Sequence, residues 1–189
     1  MSGLRRAVFL DRDGTIIEEA GYPDRLDRIL FFPFSVDAVR ALHLGGFVIV
    51  VVTNQSGIAR GIVPEAFVGE AHAFIADRMR TGGARIDAFY YCSHHPDAID
   101  PARRGCDCRK PQPGLLRRAA ADLGLDLSRS FVVGDRWKDL AAGEPDGLRG
   151  VLVRTGVGRD QEQDIGARRP GAVVVDDLAA AAAWILQQA

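Results

Sequence analysis

An apolar run that begins at Ala7 stops abruptly at Asp11-Arg12-Asp13-Gly14-Thr15, and no other stretch constrains the fold as much. In an open α/β sheet, ligands bind outside the carboxyl ends of the strands. The break therefore places Asp11 at the rim of such a sheet and Asp13 one turn beyond. Two acids this close do not ionise together comfortably without a cation. The pattern points either to Mg²⁺, a hard ion with oxygen ligands that often bridges carboxylates to phosphate, or to an acid/base pair with separated pKa values. On either reading Asp11 suits a carboxylate nucleophile and Asp13 a group that holds and returns a proton. A calcium loop fits poorly, because an EF-hand needs glycine at its sixth position and glutamate at its twelfth, whereas Gly14 is fourth.

The chain has 189 residues, 47% of them hydrophobic, which suits one domain spanning 1–189. A formal net charge of -1 gives no global positive field to attract nucleic acid or an anionic membrane. The segment before Ala7 is too short and polar to precede a signal sequence, and no apolar run approaches the ~20 residues of a membrane span. A cytoplasmic protein, expected as a monomer, follows. The three cysteines, an odd number, agree with a reducing compartment.

Several elements can be read in order. Gly14 to Phe32 is a long loop over the site, from which Glu19 and Tyr22 can reach a ligand. Ser35 is a candidate N-cap for a helix ended by Gly45-Gly46. Phe47 to Val52 is apolar at every position, as in a parallel strand buried on both faces. It ends in Thr53-Asn54-Gln55-Ser56-Gly57, whose hydroxyls, amides and backbone N–H groups can cradle phosphate oxygens or form an ordinary polar loop. Pro64 opens a helix to about Arg80, with Phe67, Ala71, Phe74, Ile75 and Met79 inward, and Ile86 to Tyr91 makes a third strand. Phe131 to Val133 forms a fourth strand, followed by Asp135 and Asp139. Asp135 can join Asp11 on a metal; Asp139 can brace Lys110 or a water, or cap a helix. A strand at Val151 to Val153, an exposed polar loop over Gly158 to Pro170, an edge strand at Ala172 to Val175 and a helix over Leu178 to Gln187 complete the chain. Together these elements predict a Rossmann-like, doubly wound parallel sheet.

Cys92, His94, Cys106 and Cys108 form two close pairs separated by a loop, the pattern of a closed Cys₃His zinc site. Side chains at i and i+2 of a Cys-x-His hairpin converge, which favours His94 over His95. Directly afterwards stand Arg109, a bidentate fork, and Lys110, a point charge, both suited to phosphate.

Asp11 to Thr15, a strand-end Thr53, a basic Lys110 before a helix, and Gly134-Asp135 with Asp139 together resemble the haloacid dehalogenase superfamily of phosphatases. FLDRDGTI, VTNQSGIARG, CxHHP with CxCRKPxPG, and VGD are similar to its zinc-containing heptose-bisphosphate phosphatase subfamily, over about Val8 to Gly156. Histidinol-phosphate phosphatases are among the relatives of that subfamily. The resemblance implies a core without a large cap domain and a phosphorylated sugar as substrate. It implies Mg²⁺ on Asp11, Asp13 and Asp135, and Zn²⁺ on Cys92, His94, Cys106 and Cys108. Asp11 would attack phosphorus and Asp13 protonate the leaving alkoxide, with Thr53, Arg109 and Lys110 on the phosphoryl group. Arg12, Glu19, Tyr22, Asn54, Gln55, Ser56 and Arg136 would contact substrate, Lys110 and Arg136 being the nearest cations for a second phosphate. Pro145, after Ala142-Gly143, departs from the expected run and should end its helix early. A phosphate-accepting signalling receiver is disfavoured, because no aspartate follows Phe47 to Val52. A non-catalytic zinc module would have no need of the three acids.

Overall fold

The computed structural model describes residues 3–168 and 172–188. Among these, six parallel strands form one sheet in the order β3-β2-β1-β4-β5-β6. They are β1 (Ala7–Leu10), β2 (Val48–Asn54), β3 (Ala88–Cys92), β4 (Phe131–Gly134), β5 (Arg149–Val153) and β6 (Val173–Val175). Register is set by pairs such as Val8 with Ile49 on one side and with Phe131 on the other.

Alternation along the central strands fills both faces. Val8, Leu10, Ile49, Val51, Val133 and Val151 pack with Val39 and Leu42 of α1 (Ser35–Leu44), Ala71, Ile75 and Met79 of α3 (Glu65–Thr81), and Ala181 and Ile185 of α7 (Leu178–Gln187). The opposite face carries Ala7, Phe9, Val50, Val52 and Val132 against Leu115, Leu116 and Ala119 of α4 (Gly114–Leu123) and Ala142 of α5 (Trp137–Gly143). Phe9 and Leu10 are both fully buried, on opposite faces, so neither β1 nor its neighbours can slip by one residue without exposing apolar surface.

Strand order reverses between β1 and β4. From β1 the chain winds outward through β2 and β3; it then returns beside β1 and winds the other way through β5 and β6. The crevice outside the carboxyl ends of β1 and β4 is thus the switch point where such sheets bind ligands. Asp11 follows the first of these strands and Asp135 the second.

Four local expectations need correction. Ser35 is not a cap: Phe34 holds that position, and Ser35 Oγ donates instead to the Ile16 carbonyl at 2.6 Å. Phe74 is exposed and meets Phe31 at a ring distance of 6.1 Å, while Val68 and His72 join the inner face of α3. The long loop after β1 includes a single 3₁₀ turn, Leu26–Arg28. The supposed loop from Gly158 is the helix α6 (Gly158–Arg168), while Arg169 and Pro170 fall outside the described residues. Helix α5 does stop at Gly143, and Pro145 sits within a separate 3₁₀ turn, Glu144–Asp146.

Candidate active site

Asp11 is fixed by its own backbone, its N–H donating to the Val133 carbonyl across the β1–β4 seam at 2.9 Å. Beneath its carboxylate lies Lys110, 2% exposed, whose Nζ donates to Asp11 Oδ1 at 2.6 Å and to the Val52 carbonyl at 2.7 Å, and pairs with Asp139 Oδ1 at 2.8 Å. The loop carrying Lys110 is clamped to β2 through both backbone groups of that residue: Lys110 N donates to Asn54 Oδ1 and Asn54 Nδ2 donates to the Lys110 carbonyl, at 3.0 and 3.1 Å. Asp139 does both things expected of it. Its Oδ2 accepts from Arg136 N at 3.0 Å, capping α5, while its other oxygen braces Lys110.

Asp11, Asp135 and Asp139 bring one oxygen each within 4.8 Å of one another. Three carboxylates face the Lys110 ammonium and, 3.8 Å from Asp135 Oδ1, Arg136 Nε, so when ionised the acids outnumber the cations and favour a bound metal ion. Burial pushes the Asp11 carboxyl up to about 8; Lys110 opposes the rise, and Asp139, Asp135 and Asp13 add to it. Burial and Asp139 raise Asp135 to about 6. Asp135 Oδ2 accepts from Val157 N at 3.0 Å, but its buried Oδ1 has no hydrogen-bond partner among the described residues. That oxygen, with Arg136 Nε 3.8 Å away, is placed to ligate a cation, since buried acceptors in folded proteins are usually satisfied. The backbone makes room for the Asp135 carboxylate: a Cβ on Gly14 or Gly156, both at positive φ, would collide with its Oδ2. Asp13 stands beside this cluster. Its carboxylate is outside the three-acid cluster and accepts two bonds from Arg12, at 3.0 and 3.1 Å, and one from Gln55 Nε2 at 3.1 Å.

One cavity gathers Asp11, Asp13, Glu19, Tyr22, Thr53, Asn54, Gln55, Ser56, Arg109, Lys110 and Arg136. Arg12 is the exception: at 3% exposure its guanidinium points inward, onto Asp13 and His72, and it does not line the cavity. His95, Lys138 and Asp139 line it as well. Sequence reasoning missed the first two: His95 gave no signal beside the better-placed His94, and the only signal for Lys138 is its place beside Asp139. Lys110 is committed to Asp11 and Asp139, so its ammonium is not free for a second phosphate. Tyr22 is tied to Ser56 and Arg60 at 3.1 and 3.0 Å, and Arg136 to Glu19 at 3.0 Å. These contacts fasten the loop after β1 to the rim.

Cys92, His94, Cys106 and Cys108 converge on one another, next in the chain to His95 and Arg109, which line the cavity. All three cysteines are free, and the Cys92–Cys106, Cys92–His94 and Cys108–His94 separations are 3.6, 3.7 and 3.5 Å. A tetrahedron with Zn–S near 2.3 Å has edges of about 3.7 Å, so the four ligands fit that ion; Cys92 and Cys108, at 2.9 Å, stand closer than its edge. Burial raises the thiol pKa of both, which disfavours the thiolate in the absence of a metal. The cluster also aims a cation: Arg109 N donates to Cys106 Sγ, and its guanidinium donates to the His94 carbonyl at 3.1 Å.

Acids at the ends of adjacent central strands, with a buried lysine between them, are the arrangement of haloacid dehalogenase-like hydrolases, and a family model described as HAD-hydrolase-like matches residues 107–181. The D-glycero-beta-D-manno-heptose-1,7-bisphosphate 7-phosphatase of Pasteurella multocida is 39% identical over 154 residues, covering 81% of this chain and 84% of its own. Its namesake from Pseudomonas aeruginosa is 39% identical over 185 residues, covering 97% and 99%. The crystal structure of the D,D-heptose 1,7-bisphosphate phosphatase of B. bronchiseptica, complexed with magnesium and phosphate, superposes with a TM-score of 0.87 at 34% identity, covering 97% of this chain and 99% of that one. The chain belongs to this family of haloacid dehalogenase-like heptose-bisphosphate phosphatases.

Proposed function

We propose that the chain is a Mg²⁺-dependent phosphatase that removes the 7-phosphate of D-glycero-D-manno-heptose 1,7-bisphosphate through a phospho-aspartate on Asp11. The observation that carries the chemistry is the cluster of three buried acids around one lysine at the switch point, where acids outnumber cations. The family relatives carry the substrate. Asp11, Asp13 and Asp135 would hold the ion, which when bound neutralises charge on the transferring phosphoryl group.

The remaining roles follow from the side chains. Lys110 aims the Asp11 carboxylate and opposes the rise in its pKa that burial causes. An Asp11 oxygen attacks phosphorus in line as the bond to O7 breaks, and Asp13 gives that oxygen its proton. Water then attacks the phospho-aspartate, returning a proton to Asp13 and releasing phosphate. Gln55 Nε2 donates to Thr53 Oγ1 at 2.9 Å, which leaves the threonine hydroxyl proton free for a phosphoryl oxygen. Arg109 faces the same group from the zinc loop. The remote phosphate falls to Lys138 and to Arg136, which Glu19 holds at the cavity rim, since Lys110 is buried under Asp11. Cys92, His94, Cys106 and Cys108 would hold a zinc ion with four protein ligands, which would leave it a structural role.

Asp11→Asn tests the reading. Phosphate-monoester hydrolysis is accelerated by up to ~10²¹-fold in enzymes, so the variant should lose all measurable turnover while its thermal unfolding stays cooperative. Residual activity above a few percent would remove Asp11 as nucleophile.

A further inference from the structure

His72 is a histidine on the inner face of α3, outside the cavity, with one functional neighbour. It is 8% exposed, its ring stacked on Phe89 at 4.7 Å and meeting Tyr91 edge-on at 5.7 Å. Its Nε2 lies 3.5 Å from Arg12 Nη1. A guanidinium has only donors, so Nε2 must offer its lone pair and the ring must be neutral, with its proton on Nδ1. Burial, reinforced by the charge of Arg12, pushes the imidazole down to about 4, which agrees with that state.

Arg12 spends its other two arms on Asp13, Nε on Oδ2 at 3.1 Å and Nη2 on Oδ1 at 3.0 Å. Residues 12 and 13 are adjacent, so this fork fixes the two side chains to each other. It does not fix the pair to the protein. Two contacts do that: Gln55 on Asp13 from the cavity side, and His72 on Arg12 from the core side. With the Phe89 and Tyr91 rings setting the imidazole plane, the orientation of Asp13 is referred back to α3.

We propose that His72 is a positioning residue that, through Arg12, holds the Asp13 carboxyl facing the leaving oxygen. The inference rests on the proton-donor role given to Asp13 above. A purely structural histidine would, when replaced, lower all activities together. A residue that positions the proton donor acts only where the leaving group needs a proton: a primary alkoxide does, and p-nitrophenolate does not.

The test is kcat/KM, with Mg²⁺, on heptose 1,7-bisphosphate and on p-nitrophenyl phosphate for wild type, His72→Phe, His72→Gln and Asp13→Asn. Phe keeps the ring and its stacking but removes the acceptor; Gln offers a carbonyl near the place of Nε2. General acid catalysis contributes ~10²- to 10⁴-fold. Partial misplacement in His72→Phe should therefore cost at least ~10-fold on the sugar ester, in kcat more than in KM, and less than ~3-fold on the aryl ester. His72→Gln should recover most of the loss. If Phe prevents folding, His72→Leu, which also lacks the acceptor, must show the same split. Equal losses on both esters, no loss, or a glutamine no better than phenylalanine overturns the positioning role. A selective loss in Asp13→Asn without one in His72→Phe overturns only that role, whereas equal losses on both esters in Asp13→Asn overturn the proton donor as well.

Discussion

Charge balance at the switch point makes the effect of Mg²⁺ on stability depend on pH in a definite direction. Without metal, Asp11 titrates near 8 and Asp135 near 6 in the folded chain. Both are close to ~4 when unfolded. Because these folded values are raised, the stability they contribute is complete below pH ~4 and is lost as pH rises through 6 and then 8. Metal reverses the trend, since it binds the carboxylates and must displace their protons. Displacing one proton from Asp11 costs about tenfold in affinity per pH unit below 8, or about 100-fold at pH 6. If Mg²⁺ is set at ~100 Kd at pH 8, it stabilises by ~2.7 kcal/mol there; the same concentration at pH 6 is near one Kd and gives ~0.4 kcal/mol. At ~2 to 4 °C per kcal/mol for a chain of this size, the Mg²⁺-induced shift in Tm should be roughly 5 to 10 °C at pH 8 and about 1 to 2 °C at pH 6. Differential scanning calorimetry with fixed Mg²⁺ and with chelator reads this directly, and Asp135→Asn should lose most of the pH 8 shift. An equal shift at both pH values, or a larger one at pH 6, would refute the assignment of the buried acids to a cation.

Lys110→Met leaves Asp11 and Asp139 buried beside each other, and breaking a buried pair costs ~3 to 5 kcal/mol. Urea unfolding in chelator should show that loss, and a change under ~1 kcal/mol would deny the lysine its place. Metal analysis of purified protein should find one zinc per chain. Cys106→Ser should lose it and raise KM by loosening Arg109, whereas unchanged kinetics would detach the zinc loop from substrate binding.

Much of this site was legible because strand ends carry strong signals. Asp11, Thr53 and Asp135 each follow an apolar run, and a parallel sheet brings such positions to one edge. The convergence of Cys92, His94, Cys106 and Cys108 was legible from cysteine and histidine spacing alone. What spacing does not encode is the direction of a side chain. Arg12 lies between two site acids, yet it turns inward because Asp13 and His72 satisfy it there. Lys110 sits beside Arg109 in sequence, but one ammonium is buried under Asp11 while its neighbour faces the cavity. Helix α6 escaped because Gly158–Arg168 has no apolar stripe at a 3.6-residue period; Arg154 holds it from outside through Glu162, at 2.8 Å. On α3, Phe74 misled because a large aromatic residue was taken as core. The inward stripe Val68, Ala71, His72, Ile75 and Met79 keeps helical phase without it.

The central claim, a Mg²⁺-dependent phosphatase selective for a bisphosphorylated heptose, is tested most directly by kcat/KM on heptose 1,7-bisphosphate, heptose 7-phosphate and histidinol phosphate, each with Mg²⁺ and with chelator. Binding energy from a remote phosphate can be used to orient the reacting one. The bisphosphate should therefore exceed the other two by at least ~10-fold, about 1.4 kcal/mol of transition-state discrimination, and all activity should vanish in chelator. Histidinol phosphate as the best of the three, or turnover that persists without divalent metal, would contradict the account.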